Sequence, residues 1–187
     1  MTDKIRLIGD IGGTNARFAL AQSGRYEGLV KLKVAAYPSL QAALETYLRD
    51  VPPARRPQEG ALAVAGPVTG DSFAMTNHAW QFSARDLAAH FGLPGGLRLV
   101  NDFTATALAL PWLGRDDLAI LSPGRAQPGT PFAVLGPGTG LGVSGLIPLP
   151  EGGHVPLQGE GGHVTLPAVT TREAAVLAEM RPHFDHL

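Results

Sequence analysis

The stretch "LIGDIGGTNARF", residues 7–18, decides the fold. Apolar Leu7 and Ile8 lead into Gly9, Asp10, Ile11, Gly12, Gly13, Thr14 and Asn15, after which Ala16 and Phe18 open a new alternating run. Residues 5–8 read as one strand, and Ala16, Phe18 and Leu20, alternating with Arg17 and Ala19, read as a second. So short a Gly-rich connection predicts a hairpin, with "LVKLKVAAY" (29–37) as a third strand. The turn can do more than reverse the chain. Consecutive glycines can take backbone conformations closed to other residues, so successive N–H groups can point into one concavity that suits phosphate oxygens. Gly12, Gly13, Thr14 and Asn15 would supply those groups, with side-chain donors from Thr14 and Asn15. Asp10 beside them would repel a bare phosphate, but makes sense if it holds Mg²⁺ through water. A hairpin whose glycines serve twist alone is the competing explanation.

After residue 38 the period changes. Leu40, Ala43, Leu44, Tyr47 and Leu48 follow helical spacing with Ser39 placed to cap, and "VPPARRP" stops the helix. "ALAVAG" (61–66) has the continuous apolar look of a buried strand, "GPVTGD" turns, and "SFAMTN" (72–77) is expected to run back antiparallel. Ser83 with Asp86 starts a short helix through Phe91. "LRLV" leads into Asn101 and Asp102, and "FTATALAL" reads as a helix closed by Pro111. "PFAVLG" and "LGVSGLI" are two further strands, and Thr170 with Glu173 makes a capping-box start for a helix from Thr171 to about Arg181. Strands and helices without strict alternation predict an α/β mixed sheet flanked by helices.

A second Gly-rich turn, "LGPGTGLG" (135–142), carries Gly136, Gly138, Gly140 and Gly142 with Thr139 as a hydroxyl donor. It is not the dinucleotide-binding fingerprint in register, and a strand follows it instead of a helix. No Gly-Lys pair occurs, which removes the P-loop reading. Phosphates would be held between two hairpins. Asn101 and Asp102 end a strand, where α/β folds place chemistry, and Asp102 could accept the proton of an attacking hydroxyl; helix capping by Asp102 is the alternative. Glu160 and His163 in "QGEGGHV" suit a polyhydroxyl ligand or form a polar turn. His90, His154, His183 and His186 read as structural, a metal pair of His154 and His163 has no recognised spacing, and Trp80 reads as core.

Composition bounds the rest. The chain has 187 residues, 44% hydrophobic, with Gly 24 and Pro 16, so a core with many turns is expected. A net charge of -1 gives no case for nucleic acid or an anionic membrane, and the Arg55-Arg56 pair reads as a solvated linker. Cys 0 excludes disulfides and thiolate metal sites. No signal-type or membrane-length apolar run is visible, so a soluble cytoplasmic protein is expected.

Taken in order, "GDIGGTNARFAL", "AGPVTGDSFAMTNHAWQFS", "NDFTATALALP", "GPGTGLGVS" and "GEGGHV" closely resemble the bacterial ATP-dependent glucokinases of the hexokinase–actin superfamily. The resemblance implies a hexokinase/actin-like (ribonuclease H-like) fold, with residues 1–110 as the small lobe and 111–187 as the start of the large lobe. It implies ATP and Mg²⁺ as cofactors, glucose as acceptor and glucose 6-phosphate as product. Gly9 through Thr14 would form the first phosphate loop with Asp10 near the metal, and Gly136 through Gly142 the second. Asn101 and Asp102 would contact the sugar, Asp102 taking the proton of its 6-hydroxyl, and Glu160 and His163 would bind sugar hydroxyls. Family members continue beyond "RPHFDHL", so a truncated two-lobe kinase with little activity alone and exposed apolar surface is expected. A non-catalytic sugar-binding fragment or regulator of the same superfamily is the alternative. The oligomeric state, a homodimer included, stays open.

Overall fold

The computed structural model of the chain describes residues 4–75, 78–125, 127–137 and 140–184. Two compact units divide it, one ending at Ala105 and one beginning at Thr106.

The front unit opens as the hairpin reading predicts: β1 (Arg6–Ile11) and β2 (Asn15–Gln22) pair antiparallel, and β3 (Arg25–Lys33) pairs with β2. The third strand lies earlier than residues 29–37. It ends at Lys33 because the buried Val34 donates its N–H to the Thr14 carbonyl (3.0 Å) and the chain then turns through a 3₁₀ segment, Val34–Ala36. Helix α1 (Leu40–Arg49) follows, with the Ser39 hydroxyl accepting from Ala42 N–H (3.1 Å). It carries the chain back so that β4 (Glu59–Val64) adds to β1 in parallel, which needs such a crossover. "SFAMTN" does not run back onto β4. Instead β5 (Ser72–Ala74) pairs with β6 (Gln81–Ser83), too short a strand for periodicity to reveal. Helix α2 (Ala84–His90), capped by Ser83, leads to β7 (Leu97–Asn101), parallel to β4, and helix α3 (Asp102–Ala109) begins directly at its end. The sheet order is β3-β2-β1-β4-β7.

One apolar cluster underlies this sheet. Leu40, Leu44 and Leu48 of α1 pack with Leu7, Phe18 and Leu62 of the strands, all buried. Each such side chain removed from water contributes about 1.5–3 kcal/mol. Trp80 is core, as read from the sequence, and its indole N–H donates to the Tyr37 carbonyl (3.0 Å). Gly9 is required by close packing: a Cβ there would come 2.7 Å from Leu62 Cδ2 and 3.1 Å from Phe18 Cδ1. The Arg55 guanidinium is more than a linker charge, since it pairs with Glu27 and donates to Gln22 on the β2–β3 hairpin.

The back unit holds β8 (Phe132–Pro137), β9 (Leu141–Pro148) and β10 (His154–Leu157), antiparallel in the order β10-β9-β8, then helix α4 (Thr171–Met180) with the expected reciprocal Thr170–Glu173 cap. The sequence reading missed β10, whose four residues include Pro156. Its hold on β9 includes the buried Ser144 hydroxyl, which donates to the Leu157 carbonyl (2.8 Å). Among the described residues no helix is long and apolar enough to cross a membrane.

Candidate functional site

Two constellations emerge, one in each unit. In the front unit the parallel pairing of β1, β4 and β7 brings Ile11, Val64 and Asn101 into one row. At the usual strand spacing, Ile11 and Asn101 stand roughly 10 Å apart. The first Gly-rich turn and Asp102 therefore leave the sheet from the same carboxyl edge, where open α/β sheets bind ligands. The turn closes through Gly12 N–H donating to the Asn15 carbonyl (3.0 Å). Neither Gly12 nor Gly13 has a positive φ, so the turn does not use the special backbone conformations its glycines permit. What glycine supplies instead is bare backbone: a Cβ on Gly13 would meet nothing within 4 Å. The turn is open to a ligand on that side.

Asp10 is not a lone carboxylate. Across the hairpin it faces Arg17, whose Nη1 donates to Asp10 Oδ2 at 2.5 Å, both side chains being about half exposed. The four-residue reversal fixes this pairing. Counting outward from Gly12–Asn15 would have found Arg17, which the sequence reading passed over.

Asn101, not Asp102, caps α3. Its Oδ1 accepts from Thr104 N–H (3.0 Å), with the buried Thr104 hydroxyl also approaching at 3.4 Å. Asp102 is the first helical residue, and its Oδ1 accepts from Phe103 N–H (2.9 Å) and from Asn101 Nδ2 (3.0 Å). The second Asn101 amide hydrogen reaches the Gly66 carbonyl (3.2 Å) in the bend after β4. Gly66 sits at φ +148, a backbone region essentially reserved for glycine. The alternative reading of Asp102 as the cap is thus corrected: Asn offers Oδ1 one residue earlier, at the geometry a cap needs.

In the back unit the second turn joins β8 to β9, with Gly136 paired opposite Gly142. Gly138 and Thr139 lie outside the described residues, and a Cβ on Gly140 would meet nothing within 4 Å. Glu160 precedes and His163 ends a 3₁₀ turn, Gly161–His163, closed by His163 N–H donating to the Glu160 carbonyl (2.8 Å). His163 Nδ1 and Glu160 Oε2 stand 3.6 Å apart, both mostly exposed. The two glycines between them are packing residues. A Cβ on Gly161 would fall 2.7 Å from Val143 Cβ, and one on Gly162 would overlap the Leu141 carbonyl. The turn bearing Glu160 and His163 is therefore pressed onto β9, the strand that leaves the second Gly-rich turn. Both glycines allow close approach, Gly161 to the Val143 side chain and Gly162 to the Leu141 backbone.

His90 pairs with Glu45 (2.9 Å), and the His154 ring lies beside Phe132. His183 closes a 3₁₀ segment after α4, and His186 lies outside the described residues. Asp71, unremarked in the sequence, ties down the start of α2: it accepts from the Ser83 hydroxyl (2.5 Å) and from Arg85 N–H (2.9 Å). Those donors, the hydroxyl foremost, hold its carboxyl below the usual range. Among the described residues no group of three or more His, Asp or Glu side chains could cage a metal.

Comparison with known proteins gives the constellations a family. A profile of the family described as Glucokinase matches residues 7–187. The glucokinase of Nitrobacter hamburgensis is 47% identical over 183 residues, covering 98% of this chain and 57% of that protein. That of Cupriavidus pinatubonensis is 49% identical over 172 residues, covering 90% of this chain and 50% of that protein. The crystal structure of a glucokinase from an Antarctic psychrotroph superposes with a TM-score of 0.84 at 36% identity, covering 98% of this chain and 58% of that one. The chain thus spans about half the length of these relatives and shares the mixed-sheet fold of hexokinase/actin-like sugar kinases. On sequence, fold and the order of its motifs, the chain belongs to the glucokinase family.

Proposed function

We propose that this chain carries the acceptor-activating and phosphate-holding groups of a glucokinase, which moves the γ-phosphoryl group of ATP to the 6-hydroxyl of glucose. The observation that carries this reading is the placement of Asp102, anchored at the start of α3 on the same sheet edge as the open Gly12–Asn15 turn. Asp102 accepts the proton of the attacking hydroxyl. The Gly12, Gly13, Thr14 and Asn15 N–H groups and those of the second turn hold phosphate oxygens, and Glu160 with His163 holds sugar hydroxyls. Phosphoryl transfer asks for positioning and charge stabilisation more than covalent chemistry, and these residues supply both.

The donor set at Asp10 suits Mg²⁺: a half-exposed carboxylate at a strand end beside bare backbone matches an ion that keeps most of its water and shares the rest with phosphate. Bound there, Mg²⁺ would neutralise the charge developing on the transferring phosphate. Arg17 fixes the orientation of the carboxylate that would hold its waters. We assign residues 1–110 to the small lobe and 111–187 to the large lobe, a division that the compact units meeting at Ala105 and Thr106 support.

The test is a coupled ATP-plus-glucose assay on the 187-residue protein with Asp102→Asn as control, together with amide NMR titrations by glucose and by Mg²⁺–ATP. We expect glucose to shift signals at Asp102, Glu160 and His163, Mg²⁺–ATP to shift Gly12–Asn15, and any turnover to vanish in the variant. A folded protein in which neither ligand moves these signals would sink the assignment.

A further inference from the structure

We infer that Gly161 and Gly162 are positioning residues: they lock the Glu160–His163 turn onto the start of β9, so that this turn and the second Gly-rich turn move as one body. What the lock does for catalysis rests on the glucokinase reading, while the lock itself stands on geometry. The contacts walk along one strand. β10 pairs with β9 from His154 opposite Pro148 to Leu157 opposite Gly145. Next, the Ser144 hydroxyl donates to the Leu157 carbonyl (2.8 Å). Gly161 then lies against Val143, where a Cβ would stand 2.7 Å from Val143 Cβ and 2.9 Å from both of its methyl carbons. Gly162 lies against Leu141, where a Cβ would overlap the carbonyl oxygen and come 3.0 Å from the carbonyl carbon. Leu141 is the first residue of β9 and follows Gly140 directly. The chain that carries Glu160 and His163 thus ends its walk one residue from the second turn.

Little in this seam can give way. Leu141 is held to β8 by its pairing with Pro137, and Gly142 by its pairing with Gly136. β9 is itself tight between its neighbours: a Cβ on Gly145 would stand 3.2 Å from both Leu157 Cδ1 and the Phe132 carbonyl oxygen. Close-packed groups transmit a displacement and do not absorb it. The Glu160 and His163 side chains are mostly exposed, so burial does not hold them, and their placement comes from the backbone beneath. Gly159, one residue before Glu160, would carry a Cβ that meets nothing within 4 Å. Of the three glycines in "QGEGGHV", the tight ones are the two that face β9. For a kinase the consequence is one of distance. Phosphoryl transfer needs the acceptor hydroxyl and the phosphate at a fixed separation, and a misplacement of about 1 Å can cost roughly 100-fold in rate. Groups that hold sugar and groups that hold phosphate keep that separation when they share one seam.

The variants are Gly162→Ala and Gly161→Ala, with Gly159→Ala adding the same methyl group where it meets nothing. Amide NMR on the full 187-residue chain reads the lock, and ligand titrations read its use. In Gly162→Ala the Gly140 and Leu141 signals are expected to move together with that of His163, whereas in Gly159→Ala the Gly140 signal is expected to stay in place. Val143→Gly removes the three atoms nearest to a Cβ on Gly161, so adding it to Gly161→Ala is expected to return the Gly140 signal toward its parent position. In the parent, saturating glucose is expected to tighten Mg²⁺–ATP binding at least about fivefold, and Mg²⁺–ATP to tighten glucose by the same factor, as linkage requires. In Gly162→Ala that factor is expected to fall below about twofold. A merely structural role would weaken each ligand alone and leave the factor where it was. An unmoved Gly140 signal in folded Gly162→Ala, coupling retained there, or no coupling in a parent that binds both ligands overturns the proposal. If Gly162→Ala does not fold, Gly161→Ala decides by the same measurements. Binding of neither ligand, with the signal movements as expected, overturns the glucokinase reading and leaves the lock standing.

Discussion

The two units solve the problem of holding a loop still in different ways. In the front unit one contiguous apolar cluster reaches from Leu7 to Leu97, and the first turn and Asp102 sit at the ends of strands that run through it. In the back unit the buried apolar side chains are Ala107, Leu146 and Leu177 among the described residues, whereas Trp112, Ile120 and Leu121 stand 87%, 87% and 97% exposed. There the turn carrying Glu160 and His163 is pressed onto β9, Gly161 against the Val143 side chain and Gly162 against the Leu141 backbone. Precision in the front comes from side-chain packing. In the back it comes from the absence of side chains. Mutations should therefore hurt the two units through opposite changes, removal of atoms in one and addition of atoms in the other.

The largest effect is expected from Phe18→Ala. Phe18 is fully buried, tilted against Tyr47 at 5.5 Å between ring centres and packed beside Gly9, so truncation leaves a cavity under the first turn. A loss of about 3–5 kcal/mol is expected, read by urea unfolding followed at front-unit amides. A loss under about 1 kcal/mol would mean that the cluster does not carry this unit.

Addition of one methyl group should do comparable local damage in the back. In Gly162→Ala the new Cβ would meet the Leu141 backbone, which cannot swing aside as a side-chain tip can. We expect about 1–3 kcal/mol of local destabilisation, with amide shifts at Leu141, Val143 and His163. Gly13→Ala, where the added Cβ meets nothing within 4 Å, should stay within about 0.5 kcal/mol. Equal tolerance of both substitutions would erase the contrast between the open Gly12–Asn15 turn and the Glu160–His163 turn pressed onto β9.

These same contacts show what the sequence made legible and what it hid. The α1 stripe, the Ser39, Ser83 and Thr170 caps and the β1–β2 hairpin were all readable, because each rests on residues within a few positions of one another. The candidate residues 101, 102, 160 and 163 could be nominated from type and place in the motif. Their partners were less accessible. Gly66 is 35 positions from Asn101, and Gly161 from Val143 is a contact between a turn and a strand that no local pattern encodes. Short strands β6 and β10 escaped for a related reason: three or four residues carry too little alternation, and their pairing partners alone define them.

Next in size come the helix starts, where the two units should behave alike. Ser83→Ala removes the cap of α2 and is expected to cost about 0.5–2 kcal/mol. Acid should reproduce part of that loss in both units. Asp71 in front is held below the usual carboxyl range by the Ser83 hydroxyl first and the Arg85 N–H next; Glu173 behind is held low by the Thr170 and Val169 N–H groups. A carboxyl whose folded pKa is depressed stabilises fully above its unfolded value and ceases to do so as pH falls through the folded one. Both helix starts should therefore fray as the solution is acidified below the ordinary carboxyl range. Asp71→Asn should flatten that acid limb at α2 alone, and Glu173→Gln at α4 alone, measured by amide exchange at each helix start. An unchanged limb at α2 in Asp71→Asn would remove Asp71 from this role.

The smallest effect on stability should come from the most exposed apolar residue. Leu121 has 97% of its surface open to solvent, so Leu121→Ser removes no packed atoms and should change unfolding free energy by no more than about 0.5 kcal/mol. What should change is surface chemistry. Leu121 lies beside Ile120 in a segment that also contains the exposed Trp112 and Leu118, and apolar surface of this kind binds apolar dyes and promotes association. We expect Ile120→Ser with Leu121→Ser to lower dye binding and raise solubility at an unchanged urea midpoint. A drop of more than about 2 kcal/mol would show that these side chains are packed in solution. The back unit would then have a core of its own, and the contrast with the front unit would fail at its root.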